Sequence, residues 1–314
     1  MAEWLYEEGI GENRAILVED GEILAAEIEL PGLRAGTVLD AKLVSTAGIA
    51  ALPEGGEAVV EPLPRVSEGA TFRAEVVREA IPEPGRPKPP RLCPTDHPLR
   101  AGSDLAERVG RVPPPPGADL FEQAGWSELL EEAATGEIRF EGGALRMSLT
   151  PAMTLFDVDG VLPPEHLAEA GAAAAARAIR RFGIAGSIGI DLPTLPRDKR
   201  QAAAAIVDGI LPQPFERTAV NGFGFLQIVR RRLRPSIPEI LRADPGAAAA
   251  RGLLRRAERL RGRIAIHAAP RVILNLKSRP RWLAELARRT GGEAVLFPNP
   301  GLAISGGHVQ QASL

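Results

Sequence analysis

The 314-residue chain has a single cysteine, Cys93, and only four histidines. One cysteine cannot form an internal disulfide bond, and one thiol with four scattered imidazoles does not supply the ligand cluster of a thiolate-based zinc site. The sequence therefore excludes a disulfide-stabilised scaffold. We expect no zinc, and we expect any metal ion to be held mainly by oxygen ligands.

Long apolar runs are also missing. No stretch approaches the roughly 18 consecutive apolar residues that a membrane-spanning helix needs. The first residues, MAEWLYEEGIGENR, are acidic and lack the basic, apolar start of a secretory signal peptide. With 45% hydrophobic and 25% charged residues, the chain has the composition of a globular protein of two or three small domains. We expect a cytoplasmic protein that does not interact with membranes.

Charge is divided unevenly along the chain, although the net charge is only -2. Residues 1–70 contain 4 Lys/Arg and 14 Asp/Glu, whereas residues 171–290 contain 24 Lys/Arg and 8 Asp/Glu. An arginine-rich half attracts a polyanion such as RNA, because guanidinium groups match phosphate geometry and displace counterions. Solvated helix faces explain the same pattern equally well. The acidic first 70 residues would either contact a basic protein partner or shield the basic half.

The first part of the chain has the pattern of short strands. Two apolar runs within residues 14–30 flank Asp20-Gly21, which predicts a β-hairpin, assigned to residues 1–35. Residues 36–80 alternate short apolar stretches with Gly and Pro, which predicts a small barrel of OB type. Residues 81–117 are dense in proline and are predicted to be a linker.

The rest of the chain alternates predicted strands and helices. Residues 118–236 are assigned to an α/β domain that includes the strand TLFDVDGVL, an alanine-rich helix from Pro164 to about Phe182, and the strand SIGID. Residues 237–314 are assigned to a small α/β tail domain. The predicted fold class is therefore a multidomain α+β or α/β chain: a barrel, an α/β domain and a small α/β tail.

Two aspartates occupy the same position relative to their predicted strands. Asp157 follows MTLF and Asp191 follows SIGI, so both lie at carboxyl ends of strands, where α/β sheets place ligands. If the strands are neighbours, the two carboxylates converge, with Asp159 on the same face as Asp157. Converging carboxylates repel unless a cation joins them; Mg²⁺ accepts one or two carboxylates with water and phosphate, and Mn²⁺ is a plausible substitute. The alternative is that these aspartates simply form turns at strand ends.

The string LFDVDGVL resembles the first motif of haloacid-dehalogenase-type phosphatases. In that family the first aspartate, here Asp157, is the nucleophile and the second, here Asp159, is the general acid/base. The family also needs an acidic loop of the type G-D-x-x-x-D, which is missing from this sequence, and a downstream lysine, for which Lys199 and Lys277 are the only candidates. The phosphatase is therefore the weakest of our hypotheses.

A longer, ordered set of segments resembles the ribonuclease E/G family. GENRAILVEDGEILAAEIELPG is similar to the first strands of that family. GGALRMSLTPAMTLFDVDG, RRFGIAGSIGIDLPTLPRDKRQ and ERTAVNGFGFLQIVRRRLRPS are similar to its catalytic region, and the segment from Ile264 is similar to its small C-terminal domain. The resemblance implies an OB-type barrel and a catalytic α/β domain of deoxyribonuclease-I-like type.

The resemblance also implies an activity and a set of site residues. It assigns Asp157 and Asp191 as ligands of a Mg²⁺ ion that polarises a phosphate of single-stranded RNA and activates a water molecule. Asp159 stands where the family has an asparagine that orients the first aspartate, so the implied catalytic set is Asp157, Asp159 and Asp191. We predict RNA contacts by Arg217, Asn221, Arg230 and Arg232. Phe223 and Phe225 are predicted to be core residues rather than base-stacking platforms.

Three features of the family are missing from the sequence. No cysteine pair follows RRLRPS, so a zinc-linked dimer is not expected. The proline-rich segment replaces the long segment that senses a 5′-monophosphate end. The barrel is acidic, with Phe72 as its only aromatic residue, and we regard it as degenerate. The leading hypothesis is a Mg²⁺-dependent endoribonuclease; the alternative is a catalytically weak or inactive relative that binds RNA or the ribosome.

Overall fold

The computed structural model describes residues 1–83, 87–110, 112 and 117–312. The strands are β1 (Glu3–Glu8), β2 (Asn13–Glu19), β3 (Glu22–Glu29), β4 (Val38–Ser45), β5 (Ile49–Ala51), β6 (Glu57–Val60), β7 (Thr71–Arg78), β8 (Arg91–Pro94), β9 (Glu137–Phe140), β10 (Gly143–Leu149), β11 (Thr154–Gly160), β12 (Gly186–Asp191), β13 (Glu216–Arg217), β14 (Phe225–Arg230), β15 (Ile264–Ala268), β16 (Ala294–Pro298) and β17 (His308–Gln311). The helices are α1 (Leu105–Val109), α2 (Leu120–Gln123), α3 (Trp126–Thr135), α4 (Pro164–Arg181), α5 (Arg197–Ile210), α6 (Ile237–Ala243), α7 (Pro245–Ala257), α8 (Pro270–Lys277) and α9 (Pro280–Thr290), with a 3₁₀ turn at Ile304–Gly306. The fold is mixed α+β.

The N-terminal sheet has the order β1-β2-β3. The predicted hairpin is confirmed: β2 and β3 pair antiparallel around Asp20 and Gly21, both of which have positive φ. Strand β1 was not predicted, because Glu3–Glu8 carries three glutamates in six residues and shows little apolar pattern. One face of this sheet contributes Leu5, Ile16 and other side chains to the same hydrophobic core as the α/β region. The hairpin is therefore part of a larger folding unit.

The predicted barrel is confirmed as an OB-like closed barrel of five strands in the order β4-β5-β6-β8-β7. Its fifth strand, β8, lies within residues 81–117, so the prediction of a linker is wrong for Arg91–Pro94. Helix α1 lies in the same segment and packs on the N-terminal sheet through Leu105. A strand forms despite the prolines because they lie before β8 and at its last residue, Pro94, while Leu92 is fully buried in the barrel core. The prolines at 113–116 lie outside the described residues.

The six-stranded sheet has the order β13-β14-β12-β11-β10-β9. Strands β11 and β12 are parallel, and every other neighbouring pair is antiparallel. The predicted helices from Pro164 and Arg197 are present as α4 and α5. The predicted helix near Asp119 is divided into α2 and α3 at Gly125, whose φ of 92° belongs to the left-handed region. This sheet carries both of the aspartates on which the metal hypothesis depends.

The tail forms a three-stranded sheet, β16-β15-β17, with α7, α8 and α9 around it. Its core also includes Ile10 from the turn between β1 and β2. Ion pairs join the same regions: the Arg251 Nε donates to Glu12 at 2.5 Å, and Arg255 pairs with Glu7 at 2.9 Å. Part of the charge asymmetry seen in the sequence is thus neutralised by contacts between these two regions.

No helix in the part of the chain that the structure describes is both long enough and apolar enough to cross a membrane.

Candidate functional site

Asp157 and Asp191 are neighbours across the two parallel strands of the six-stranded sheet. In the β11–β12 register, Asp157 lies opposite Asp191, and the pairing ends there. Neighbouring strands lie about 4.8 Å apart, and residues in register point to the same face. The expectation that the two aspartates come together at the carboxyl ends of adjacent strands is therefore confirmed.

The two faces of the sheet are very different. Phe156, Ile190 and Leu226 occupy one row on the helix-covered face and are fully buried. The next row, Asp157, Asp191 and Phe225, lies on the opposite face, where the side chains are exposed or half-buried. The carboxylates thus lie on the open face while the residues beside them anchor the strands in the core.

Two close contacts by glycines position this row. In α4, a Cβ atom on Gly171 would lie 2.4 Å from Val158 Cγ1, so the helix approaches β11 directly beside Asp157. In β12, a Cβ atom on Gly189 would lie 2.5 Å from Phe225 Cζ, so the Phe225 ring occupies the space that a side chain would need. Larger residues at either position would displace the strands that carry the aspartates.

Asp159 has no partner on β12, unlike Asp157, which lies opposite Asp191. It is opposite Ala144 on β10, beyond the end of β12, and its side chain is 61% exposed. The Arg146 Nη1 is 3.8 Å from Asp159 Oδ2, and Arg146 itself lies opposite Asp157. Such an exposed pair contributes little to stability. Sequence reasoning missed Arg146, although the alternation in ALRMSL places it on the same face as Asp157 once β10 and β11 are paired.

The donor set fits a cation held by two carboxylates. Among the described residues, no group of three or more His, Cys, Asp or Glu side chains could hold a metal ion together, so Asp159 is not placed as a third ligand. Asp157 and Asp191 make no ion pair or side-chain hydrogen bond within the described ranges, which leaves their oxygens available. Mg²⁺ commonly takes one or two carboxylates and completes its shell with water and phosphate oxygens.

The turn between β13 and β14 lies at the same end of the sheet. Asn221 Oδ1 accepts hydrogen bonds from the backbone N–H groups of Phe223 at 2.9 Å and Phe225 at 3.1 Å. The Leu192 N–H donates to Gly224 O at 3.2 Å, directly after Asp191. Asn221 therefore has a structural role in the turn. The Phe223 side chain is 84% exposed, so the prediction that it is a core residue is wrong; Phe225 is half-buried.

Arg217 lies on the other face of the sheet from the aspartates. It pairs in register with the buried Ile228, and its guanidinium forms a two-pronged ion pair with Asp208 of α5, in which Nε donates at 2.6 Å. This hydrogen bond from Arg217 lowers the pKa of Asp208, and Asp208 in turn raises the pKa of Arg217. Arg217 is thus near the predicted site but already engaged by a carboxylate.

The structure does not bring Arg230 and Arg232 to the aspartates. Because β14 runs antiparallel to β12, Arg230 lies opposite Gly186, at the end remote from Asp191. The Arg230 Nη1 donates to Ile184 O at 2.9 Å, and burial lowers the pKa of its guanidinium. Arg232 lies beyond the strand and forms ion pairs with Glu83, at 2.9 Å, and Glu239. These arginines join the sheet to neighbouring elements.

Two further observations concern the alternatives. Lys199, one of the two lysines that a phosphatase of the haloacid-dehalogenase type would require, forms an ion pair with Glu165 at 2.9 Å. In the barrel, Phe72 is only 8% exposed and belongs to the core. It therefore offers no face for base stacking.

No protein-family model matches the chain, and no curated protein is similar enough in sequence to be called its relative.

Proposed function

We propose that this protein is a magnesium-dependent endoribonuclease that hydrolyses phosphodiester bonds in single-stranded RNA, with a catalytic domain of the deoxyribonuclease-I-like type and a place in the ribonuclease E/G family. The observation that carries the proposal is the direct register of Asp157 and Asp191 on adjacent parallel strands. Two carboxylates without ion-pair partners, side by side at an open sheet edge, are a donor pair that a divalent cation can bridge.

The chain's own residues would act by binding and positioning. Asp157 and Asp191 would hold the cation, and Arg146, opposite Asp157, supplies a positive group that can contact a phosphate of the bound strand. A bound Mg²⁺ supplies Lewis-acid polarisation of the phosphate and lowers the pKa of a nucleophilic water molecule. Asp159 would not bind the cation. It would position the Arg146 side chain, its ion-pair partner, for contact with the phosphate.

The alternative is a relative that binds RNA or the ribosome without cleaving it. A barrel without an exposed aromatic and an aspartate in the place of the family's asparagine are compatible with that alternative. It predicts RNA affinity that does not depend on Mg²⁺ or on either aspartate.

The proposal is tested by incubating a labelled single-stranded RNA with the protein and Mg²⁺, beside the Asp157→Asn and Asp191→Asn variants. We expect cleavage by the parent protein, and a loss of at least about a hundredfold in each variant, since both remove charge from one site. Asp40→Asn, at a half-buried aspartate of the barrel, is the control and should cleave normally. Cleavage that survives both substitutions would refute the proposed site, and binding without cleavage would support the alternative.

A further inference from the structure

A basic cleft lies at the same end of the sheet as Asp191. It has a volume of about 400 Å³ and runs between the first turns of α5 and residues 217–220, which end β13 and begin the β13–β14 turn. Its lining residues are Arg197, Arg200, Gln201, Ala204, Arg217, Ala219 and Val220. Three of these seven residues are arginines, which makes the cleft suited to an anion of phosphate size or larger.

Two of the three arginines are uncommitted. Arg217 is held by Asp208, whereas Arg197 and Arg200 form no ion pair with any described residue. Arg197 is exposed and Arg200 is half-buried, and the Arg200 Nε is shielded from solvent without a hydrogen-bond partner. The two Nη groups of Arg200 are not shielded in this way and make no side-chain hydrogen bond with a described residue, so a phosphate oxygen entering the cleft can accept from them.

An exposed aromatic ring adjoins this cleft. A Cβ atom on Gly222 would lie 3.5 Å from Arg200 Nη1, so the turn that carries Phe223 lies against the arginine. The turn is fixed: Asn221 accepts two backbone hydrogen bonds, and Thr194 Oγ1 donates to Phe223 O at 3.4 Å. A ring that is 84% exposed on a turn with a fixed backbone offers a free π-face, and stacking would have to order only the ring itself.

We propose that Phe223 and Arg200 form a second binding position for the RNA strand, in which a base stacks on the Phe223 ring and the neighbouring phosphate enters the cleft of Arg197 and Arg200. The strand then passes from the open face at Asp157 and Asp191 over the sheet edge to the helix side, crossing the turn. The identity of the ligand as single-stranded RNA rests on the proposed function; stacking and phosphate binding are the chemistry of the position itself.

The test measures binding without cleavage, by fluorescence anisotropy of a short single-stranded RNA with EDTA-treated protein. Phe223→Ala should weaken binding about 5- to 150-fold, the range for loss of one base–aromatic stack, and Phe223→Trp should restore it. With an abasic oligomer of the same length, Phe223→Ala should have no effect. Arg200→Ala should make the dependence of log affinity on log salt concentration shallower by about 0.7, the value for one phosphate contact in a single strand.

Phe297→Ala and Arg231→Ala are the matched controls, because both residues are exposed and lie outside this turn and cleft. Equal weakening of the base-bearing and abasic oligomers by Phe223→Ala would overturn the stacking position, as would an unchanged affinity. An unchanged salt dependence in Arg200→Ala would overturn the phosphate contact. If the protein cleaves RNA but neither variant changes binding as expected, only the second binding position is refuted. If the variants change binding as expected but the protein does not cleave RNA, only the proposed nuclease activity is refuted. A protein that binds no RNA refutes both.

Discussion

Replacing Glu12 by glutamine should destabilise the protein by about 3–5 kcal/mol, the cost of removing one partner from a buried ion pair. The Glu12 carboxylate lies between Arg14 Nε at 2.7 Å and Arg251 Nε at 2.5 Å. The Arg14 and Arg251 side chains are 0% and 6% exposed, so neither guanidinium can turn to solvent when the acid is removed. A neutral amide removes the carboxylate that pairs with the buried Arg251, and it leaves Arg14 with only its longer ion pairs to Glu7 at 3.3 Å and Glu258 at 3.8 Å.

The assay is urea unfolding at pH 7 and constant ionic strength, with Asp40→Asn as the control. Asp40 pairs with Arg73 at 3.1 Å, but the two side chains are 43% and 39% exposed, so the control should lose no more than about 1 kcal/mol. Because Glu12 joins the N-terminal sheet to α7, the loss should appear in one cooperative transition that includes the tail. If Glu12→Gln is no more destabilising than Asp40→Asn, the argument from burial is wrong.

The same variant gives a prediction for pH. Burial alone would raise the pKa of Glu12. Arg14 and Arg251 lower it by more than burial raises it, so the pKa of Glu12 lies below its ordinary value. The stabilisation from Glu12 is therefore present above the unfolded pKa of about 4.3 and is lost as the pH falls through the folded pKa. The difference in free energy of unfolding between the parent protein and Glu12→Gln should therefore shrink as the pH falls below about 4.3, the unfolded pKa. A difference that grows on acidification would contradict this sign.

Three further predictions concern the elements that support the site. Leu92→Ala should destabilise the protein by about 2–5 kcal/mol in thermal or urea unfolding, because Leu92 is buried in the closed barrel; a neutral effect would mean that β8 does not close it. Gly171→Val should lower the free energy of unfolding by about 1–3 kcal/mol and reduce RNA cleavage, because the new side chain meets Val158 beside Asp157. Full cleavage activity at reduced stability would show that the contact of α4 with β11 does not position Asp157. Arg230→Ala should leave RNA affinity and its salt dependence unchanged, because Arg230 lies at the opposite end of the sheet and donates to Ile184 O; a shallower salt dependence would place RNA there instead.

The approach of Asp157 to Asp191 could be predicted because it depends on local patterns. Each aspartate ends an apolar strand, and a parallel pair separated by one helix brings the two strand ends to one edge. The helices α4 and α5 could also be predicted, because their alanine-rich segments have a helical periodicity. Strand β8 was not, because its four residues lie among prolines and its pairing with β6 and β7 is not local.

The errors at the site came from strand direction and from side-chain exposure. Arg230 and Arg232 follow the same strand as Phe225, but the antiparallel course of β14 carries them away from Asp191. Phe223 and Phe225, two residues apart, suggest one buried strand face, yet Phe223 precedes the strand and lies in the turn. The pairing direction of β14 depends on contacts that are distant in sequence, whereas Asn221-Gly222 is a local turn signal that places Phe223 outside the strand.

The central claim is that Asp157 and Asp191 hold one divalent cation between them. Its most direct test is X-ray diffraction from crystals grown with Mn²⁺, with anomalous maps of the parent protein and of Asp191→Asn. We expect one anomalous peak bonded to a carboxylate oxygen of each aspartate, and loss of that peak in the variant. A peak bonded to neither aspartate, or no peak at this edge of the sheet at millimolar Mn²⁺, would contradict it.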